Sequence, residues 1–353
     1  MNIARKLCCN HLLEIEPYQS ARRLGGSGEV WLNANELPYS YGEYRIDSSS
    51  YQRYPQVPSE SLFSAYADYS SFSSDQLLCV RGADEGIELL IRAFCTPGSD
   101  SIAITPPTYG MYQVSANIHG VGIIEIPRTP AFDLDVEAVK AVDGAKLVFI
   151  CSPNNPTGNV SSQHELRDML ERFKDSALVV VDEAYIEFCP EHSLLPLVKE
   201  YPNLVIIRTL SKAFGLAAVR CGFVLAAEDV IELLAKIIAP YPVPLPVEQI
   251  AMQALSAEGQ VRMRQRVEEI NRIRNSLLER LAEMHGIVKV TTSFGNFVLV
   301  EFNDEPRAVE LLAAEGVVVR TPYTQGLIHN SQRISIGTAE QMDRVVSALR
   351  GLA

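Results

Sequence analysis

The chain has 353 residues, of which 47% are hydrophobic and 21% are charged. This composition is typical of a globular protein, and the length exceeds that of one ordinary core, so about two domains are expected. The 31 basic and 43 acidic residues give a formal net charge of −12. That charge argues against nonspecific binding of nucleic acid, which needs a basic surface, although a local group of arginines could still bind a small anion.

The cysteines and the apolar segments give no sign of secretion, metal binding or membrane insertion. Seven cysteines are an odd number without the spacing of a disulfide framework, so we expect reduced thiols and a cytoplasmic location. Cys8, Cys9 and His11 lack a second ligand pair at a matching spacing, so no metal site is predicted. The N-terminal segment lacks the apolar region of a signal peptide, and no membrane span is predicted.

Irregular segments precede the first regular elements. Residues 1–34 are interpreted as an N-terminal arm, and residues 35–60 as loop, because they combine many Tyr, Ser, Pro and Gly residues without a clear period. After them, SLFSAYADYS predicts a helix, and QLLCVRGADEG predicts a strand, a glycine turn and a helix start. DSIAITPPTYG predicts a strand that ends in a proline-rich turn.

Strands and helices alternate through the middle of the chain. Continuous apolar runs predict strands within 146–152, 177–185 and 203–211, and HELRDMLERF predicts a helix after the first run. This alternation is typical of a mostly parallel sheet, in which ligands bind beyond the carboxyl ends of the strands. Polar residues follow the three runs, namely Asn155, Asp182, Tyr185, Ser211 and Lys212.

The last third of the chain predicts a second, smaller domain. Four prolines in 239–246 indicate a hinge, so we place a large domain at 35–245 and a small one at 246–353. Residues 261–285 predict a long amphipathic helix. NFVLVEF and VVVRTP as strands, a helix around PRAVELLAAEG, and RISIGTAEQMDRVVSALRGL complete an α+β domain.

Lys212 lies among small and apolar residues in TLSKAFGLAAVRCG. A lone lysine is more often a surface residue or a phosphate contact. A lysine that forms a Schiff base must spend time unprotonated, and an apolar surrounding and a nearby cation favour this by lowering its pKa from about 10.4. Thr209, Ser211 and Arg220 bracket Lys212, and their hydroxyl and guanidinium groups suit a phosphate. The stretch therefore predicts an amine nucleophile beside a phosphate site.

Asp182 ends the apolar run VVVD, where a carboxylate without a cation would be costly. The protonated ring nitrogen of pyridoxal phosphate would be a suitable partner, because the aspartate would keep the ring able to accept electrons. An ordinary helix cap or strand end would also place an aspartate at this point.

Further segments supply candidate partners for such a cofactor. Asn155 in SPNNPTG and Tyr185 could bind its phenolic oxygen, and Tyr109 in PPTYG could stack on its ring. The helix that GADEG opens could bind its phosphate through backbone amides. Each segment also has a plainer interpretation as a tight turn, loop packing or a simple helix start.

Together these residues resemble the aminotransferase class I/II family of fold-type I pyridoxal-phosphate enzymes, from about residue 17 to the C-terminus. Such a resemblance implies an α/β fold with a mostly parallel seven-stranded sheet between helices in the large domain. Within the family, PYQSARRLGG and RYP are similar to the subfamily that acts on L-histidinol phosphate, in its enterobacterial form. The motifs that carry the broader resemblance are NANELPY, RGADEGIELLIRAF, PPTYGMY, SPNNPTG, VVDEAYIEF, TLSKAFGLAAVRCGF and RISIGT.

The resemblance implies a role for each matching residue. Lys212 would bond to the cofactor and move the proton, Asp182 would pair with the ring nitrogen, and Tyr109 would stack on the ring. Asn155 and Tyr185 would bind the phenolic oxygen. The residues implied around the cofactor phosphate are Ala83, Asp84, Thr209, Ser211 and Arg220, with Tyr54 reaching it from the other subunit of a homodimer.

Substrate binding is implied for the arginines. Arg333 would bind the carboxylate of glutamate. Arg320, Tyr18 and Asn35 are further candidates for substrate binding. Arginines suit both substrates, because a guanidinium group binds either carboxylate or phosphate. The segment 321–332 matches no family pattern, so its conformation stays open. A plainer interpretation of Arg320 is a surface arginine at a strand end.

The implied protein is a cytoplasmic homodimer that uses pyridoxal 5′-phosphate. It would convert L-histidinol phosphate and 2-oxoglutarate to imidazole-acetol phosphate and L-glutamate in histidine biosynthesis, without nucleic-acid or membrane partners. One alternative is an aromatic amino-acid aminotransferase or a phospho-amino-acid decarboxylase on the same scaffold. Another is a non-enzymatic sensor of this fold, against which the short N-terminal arm and the negative charge both argue.

Overall fold

A computed structural model of the chain describes residues 2–18, 21, 23, 25–40, 42–55, 59–322 and 326–352. Parts of PYQSARRLGG and of the 321–332 segment therefore lie outside the described residues. The strands are β1 (Val30–Trp31), β2 (Leu77–Val80), β3 (Ser101–Ile104), β4 (Gly122–Glu125), β5 (Ala145–Cys151), β6 (Leu178–Asp182), β7 (Leu204–Thr209), β8 (Gly222–Leu225), β9 (Ile287–Val290), β10 (Phe297–Phe302), β11 (Val317–Val318) and β12 (Ser331–Ser335). The α-helices are α1 (Ile3–Leu7), α2 (Glu60–Ser70), α3 (Ala83–Phe94), α4 (Met111–His119), α5 (Val136–Lys140), α6 (Gln163–Phe173), α7 (Glu228–Ala235), α8 (Leu245–Leu255), α9 (Ala257–Ala282), α10 (Glu305–Ala314) and α11 (Ala339–Leu349).

A seven-stranded sheet with the order β2-β8-β7-β6-β5-β3-β4 forms the centre of the molecule. Strand β8 runs antiparallel to both of its neighbours, and the other pairings are parallel. The mostly parallel α/β sheet predicted from the sequence is thus confirmed. Its three central strands β5, β6 and β7 end at the same edge, where the predicted polar residues follow them.

Both faces of this sheet are buried along most of its central strands β5, β6 and β7, which explains why these strands are continuous apolar runs rather than alternating patterns. Leu147 and Phe149 of β5 belong to a core that includes α3, α4 and α7. Val148 and Ile150 of the same strand belong to the core on the other face. Successive side chains point to opposite faces, so one strand contributes to two cores.

Two of the differences between predicted and observed helix boundaries have a clear local cause. The long helix α9 begins at Ala257 rather than at residue 261, because the Ser256 side chain accepts a hydrogen bond from the amide of Gly259 and caps the helix. The last residues of the proline-rich segment belong to α8, whose first turn contains Pro246. Proline is compatible with a first turn, since its missing N–H would have no partner there.

The C-terminal part contains the antiparallel sheet β12-β10-β9, with α10 and α11 packed against each other beside it. Strand β1 of the N-terminal segment pairs in parallel with β11, so this segment is joined to the C-terminal part of the chain. The segments 35–40 and 42–55 contain neither helix nor strand. The division into an arm, a large domain and a small domain remains a prediction. Among the described helices, none combines the length and the apolar character that crossing a membrane requires.

Candidate active site

A cavity of about 880 Å³ lies at the carboxyl ends of β5, β6 and β7. Its walls come from the N-terminal segment, from the large sheet and from the C-terminal part of the chain. Fourteen of the fifteen predicted site residues line it. These are Tyr18, Asn35, Ala83, Asp84, Tyr109, Asn155, Asp182, Tyr185, Thr209, Ser211, Lys212, Arg220, Arg320 and Arg333.

The Lys212 side chain enters the cavity from the turn that follows β7. Its Nζ donates a hydrogen bond to the carbonyl oxygen of Ala34, 3.2 Å away, and lies 5.5 Å from the centre of the Tyr185 ring. Burial, with the positive charge of Arg333 as a second cause, lowers the pKa of Lys212 to about 8. An appreciable fraction of this amine is therefore unprotonated near neutral pH, as a nucleophile or a base requires.

Asp182 is the last residue of β6 and is only 2% exposed. Its Oδ2 accepts a hydrogen bond of 2.8 Å from the hydroxyl of Tyr112, and its Oδ1 accepts one of 3.0 Å from the amide of Ala184. Burial raises the pKa of this carboxyl to about 6, against the opposing effect of the two hydrogen bonds. The carboxylate therefore has a strong preference for a cationic partner in the cavity.

Arg220, Ser211 and Thr209 lie together next to the N-terminus of α3 and form a candidate anion site. Arg220 Nη1 lies 3.3 Å from Ser211 Oγ, which also accepts a hydrogen bond of 2.9 Å from Thr209 Oγ1. Arg220 Nη2 contacts Asp84 Oδ2 at 3.2 Å in the first turn of the helix. Hydroxyl groups, a guanidinium group and the amides of a helix N-terminus are the donors that phosphate groups bind.

The backbone before α3 leaves room for that guanidinium group. Gly82 has a φ of +82°, and a Cβ atom there would lie 2.7 Å from Arg220 Nη2. Arg220 itself has a φ of 59°. Because non-glycine residues rarely adopt this conformation, its presence at the anion site is consistent with a functional constraint.

A network of side chains joins the C-terminal part to the sheet. Arg333 Nη1 donates a hydrogen bond of 2.8 Å to Asn155 Oδ1, and its Nη2 donates one of 2.6 Å to the carbonyl oxygen of Asn33. Asn35 Nδ2 donates a hydrogen bond of 3.0 Å to the hydroxyl of Tyr185. Burial lowers the pKa of Arg333 and raises that of Tyr185. These contacts fix the guanidinium group and the phenol on the same side of the cavity.

Arg320 and Tyr18 complete the outer wall. Arg320 and Arg333 form an antiparallel bridge with backbone hydrogen bonds of 3.1 and 2.8 Å, which places the two arginines next to each other. Burial raises the pKa of the Tyr18 hydroxyl, and the charges of both arginines oppose that rise. Two adjacent cations and a phenol make this region suitable for an anionic substrate group.

Tyr54 is the predicted site residue that does not line the cavity. Its side chain is 78% exposed and stacks on the ring of Tyr241, with a centroid distance of 4.4 Å. Among the described residues, Tyr54 is therefore not part of the cavity wall of its own chain. The prediction that it serves the site of another subunit is compatible with this exposure and remains a prediction.

Sequence analysis missed several residues that support the site. The sequence does not identify Tyr112 as a site residue, although it lies three residues after Tyr109 in the same PPTYGMY motif. Ser335 and Asn296 bind Asn35, through its side chain and its carbonyl oxygen respectively. Glu14, Ile15, Glu16 and Pro17 of the N-terminal arm also line the cavity. The occurrence of Tyr109 and Tyr112 in one motif is the available signal, because the other contacts join distant parts of the chain.

Comparisons with known proteins find a matching family and close relatives in sequence. The model of the family described as aminotransferase class I and II matches residues 25–349. A histidinol-phosphate aminotransferase of Aeromonas hydrophila is 48% identical over 352 residues, which is 99% of this chain and 98% of the relative. Another of Yersinia enterocolitica is 49% identical over 339 residues, covering 96% of this chain and 90% of the relative.

A solved structure agrees at the level of the fold. The histidinol-phosphate aminotransferase of Sinorhizobium meliloti, solved in complex with pyridoxal-5′-phosphate, superposes with a TM-score of 0.87. The superposition covers 98% of this chain and 97% of that structure at 22% sequence identity. A match of one family model to most of the chain, and relatives near half identical along nearly its full length, lead to one conclusion: the chain belongs to the aminotransferase class I and II family.

Proposed function

We propose that the chain is a pyridoxal-phosphate-dependent histidinol-phosphate aminotransferase. It transfers an amino group from L-histidinol phosphate to 2-oxoglutarate, giving imidazole-acetol phosphate and L-glutamate in the biosynthesis of histidine. It acts as a homodimer in the cytoplasm. The name shared by relatives of 48% and 49% identity supports the substrate, and the geometry of the cavity supports the cofactor.

One observation carries the cofactor assignment: an amine, a buried carboxylate and an anion site open on the same cavity. Lys212, Asp182 and the Ser211–Arg220 pair would hold the aldehyde carbon, the ring nitrogen and the phosphate of pyridoxal phosphate, respectively. The space above Gly82 fits this interpretation, since a side chain there would displace the arginine. When bound, this cofactor supplies a protonated ring that stabilises the electrons released by C–H cleavage at the amino-bearing carbon.

Lys212 is the base that moves the proton. Its Nζ lies in the cavity with a pKa of about 8, so it is able to remove the proton from the amino-bearing carbon of a substrate and to return it. Tyr185 and Ala34 orient the side chain by contacting it from two directions. Asp182 meanwhile provides the negative charge that keeps a cationic ring nitrogen in place.

The arginines bind the anionic group of each substrate in turn. L-Histidinol phosphate has a phosphate ester where glutamate has a carboxylate, and a planar guanidinium group binds both with paired hydrogen bonds. Arg333 is held by Asn155 and by the carbonyl oxygen of Asn33, with Arg320 beside it. A fixed arginine next to a second one therefore accounts for two substrates with different anions in one site.

A comparison of amino donors tests this function against its alternatives. The protein loaded with pyridoxal phosphate is mixed with L-histidinol phosphate, L-phenylalanine or L-threonine phosphate, each without an oxo acid, while the visible absorption band of the bound cofactor is followed. We expect fast, saturable loss of the band with L-histidinol phosphate alone, and its return on addition of 2-oxoglutarate.

Each of the other outcomes would indicate a different function. A faster response to L-phenylalanine would indicate an aromatic amino-acid aminotransferase. Release of carbon dioxide from L-threonine phosphate would indicate a decarboxylase. A band that responds to none of the three would favour a protein that binds the cofactor without this chemistry.

A further inference from the structure

Tyr112 is a fully buried phenol beneath the cavity that the proposed reaction does not yet use. It lies in α4 with an exposure of 0%. Its ring stacks on Phe149 at a centroid distance of 4.9 Å and meets the ring of Tyr109 edge-on at 5.7 Å. These two contacts fix the ring plane, so the hydroxyl group has one position, and there it donates its hydrogen bond of 2.8 Å to Asp182 Oδ2.

The two oxygens of Asp182 have different partners. Oδ1 accepts a backbone hydrogen bond from Ala184, which follows two residues later and depends only on the local turn. Oδ2 accepts a hydrogen bond from the hydroxyl of Tyr112, which lies 70 positions away in the chain. The other titratable groups whose charges act on or respond to this carboxylate are Asp84, Cys151, Tyr185 and Lys212.

We propose that Tyr112 is a positioning residue that holds the proton on the ring nitrogen of the bound cofactor by stabilising the Asp182 carboxylate. The inference rests on the proposed function, since it concerns the pair that Asp182 forms with pyridoxal phosphate. One proton is shared between the ring nitrogen and the carboxylate. A donor bonded to the carboxylate lowers its basicity and so leaves the proton on the nitrogen, where electron withdrawal by the ring is strongest.

The burial of Asp182 makes this contribution necessary. A carboxylate that is 2% exposed is destabilised relative to its neutral form, and this favours transfer of the ring proton onto Asp182. Of the cationic and hydroxyl groups named above, Tyr112 is the one that donates directly to the carboxylate. Hydrogen bonds to charged groups are stronger than those between neutral groups, so its removal is expected to shift the position of the proton measurably.

The test compares Tyr112→Phe with the wild-type protein, both loaded with pyridoxal phosphate labelled with ¹⁵N in the ring. We expect the ¹⁵N signal of the variant to move toward that of an unprotonated pyridine ring. We also expect kcat for L-histidinol phosphate to fall about 10- to 100-fold, the range for a hydrogen bond to a charged group, with KM unchanged. Tyr66→Phe is the matched control, because Tyr66 is similarly buried, with 1% exposure, and its ring stacks on Phe223 rather than beside Asp182.

A cofactor analogue separates proton control from packing. With carbon in place of the ring nitrogen there is no proton to hold, so Tyr112→Phe and wild type are expected to have the same kcat. An equal loss with both cofactors, or an unshifted ¹⁵N signal, would show that Tyr112 only packs. If Tyr112→Phe does not fold, a fluorotyrosine inserted at position 112 donates a stronger bond and should move the signal the opposite way.

Failure of this inference is distinguishable from failure of the proposed function. The ¹⁵N signal needs only cofactor binding, whereas the function is judged by conversion of L-histidinol phosphate. A wild-type protein that binds the cofactor but does not react with this donor would overturn the function and still give a result for Tyr112.

Discussion

Lys212, which is half-buried, and Asp182, which is 2% exposed, are two charged residues at the cavity, and both have a pKa moved toward neutrality. The pKa of the lysine is lowered from 10.5 to about 8, and that of the aspartic acid is raised from 3.8 to about 6. Burial is the first cause of each shift. Groups that are close to their titration point at working pH are common at catalytic sites, because proton transfer there has a small free-energy difference.

Replacement of Lys212 by alanine is expected to abolish transamination. The variant retains Asp182 and the anion site, so it should still bind pyridoxal phosphate, but without the covalent link and without the base. The measurement is the rate of glutamate formation from L-histidinol phosphate and 2-oxoglutarate. Lys212→Arg is the control that retains the positive charge, and it should be equally inactive. Substantial turnover by either variant would contradict the role of Lys212.

Replacement of Asp182 by asparagine is expected to stabilise the protein without its cofactor. A folded-state pKa of about 6 against 3.8 in the unfolded chain means that the ionised carboxylate destabilises the fold by about 3 kcal/mol above pH 6. Asparagine has no charge but satisfies only one of the two donors. The free energy of unfolding at pH 7.5 should therefore rise by about 1–2 kcal/mol.

The destabilisation of the fold by Asp182 is expected to depend on pH. Below the folded pKa the native carboxyl binds a proton that the unfolded chain releases, so the destabilisation by Asp182 fades as the pH falls from 6 toward 3.8. Urea unfolding of both proteins at pH 7.5 and pH 5 measures it. A difference between variant and wild type that is the same at both pH values would contradict the assigned ionisation.

At the scale of elements, the anion site depends on the contact between Gly82, in the turn before α3, and Arg220, in the turn before β8. Gly82→Ala is expected to lower the free energy of unfolding by about 1–3 kcal/mol, because a side chain at φ +82° is strained and its Cβ would displace Arg220. The affinity for pyridoxal phosphate should fall as well. Fluorescence titration of the cofactor and urea unfolding measure the two effects.

Gly98→Ala is the matched control for strain alone. Gly98 has a φ of +72°, and no atom lies within 4 Å of the added Cβ. The free energy of unfolding of the Gly98→Ala variant should fall by about 1 kcal/mol, and its affinity for pyridoxal phosphate should be unchanged. If Gly82→Ala behaves in the same way, the guanidinium group of Arg220 does not need the space above this glycine.

The strands that position the site were predictable because both of their faces are buried. A continuous apolar run followed by a polar residue gives β6 and Asp182 directly from the sequence. Strand β8 was not predicted, since GFVL is short and follows a segment rich in small residues. Tyr112 could not be assigned to Asp182, because 70 positions separate them and no local pattern records their contact.

At the scale of the whole molecule, the exposed Tyr54–Tyr241 pair lies outside the cavity of its own chain. If Tyr54 serves the partner's site, Lys212→Ala and Tyr54→Ala should complement each other when co-expressed. In the mixed dimer, one site has the intact Lys212 of one chain and the intact Tyr54 of the other. An equal mixture should then recover about a quarter of the wild-type activity, since half of the dimers are mixed and each has one complete site.

The complementation assay requires both variants alone as references. Lys212→Ala should be inactive, and Tyr54→Ala should have reduced activity at limiting cofactor. A co-expressed mixture no more active than the mean of the two variants would show that Tyr54 does not act across a subunit boundary. Size-exclusion chromatography with light scattering establishes whether the dimers form.

The pairing of β1 with β11 and the bond from Arg333 to Asn33 also determine when the site is completed during synthesis. On the ribosome the chain emerges from its N-terminus, so Lys212 and Asp182 leave the ribosome well before residues 317–333 are made. The seven-stranded sheet is able to form first, and residues 30–35 must wait for their partners. If Arg333 binds the substrates as proposed, a nascent chain is able to bind pyridoxal phosphate before it can bind either of them.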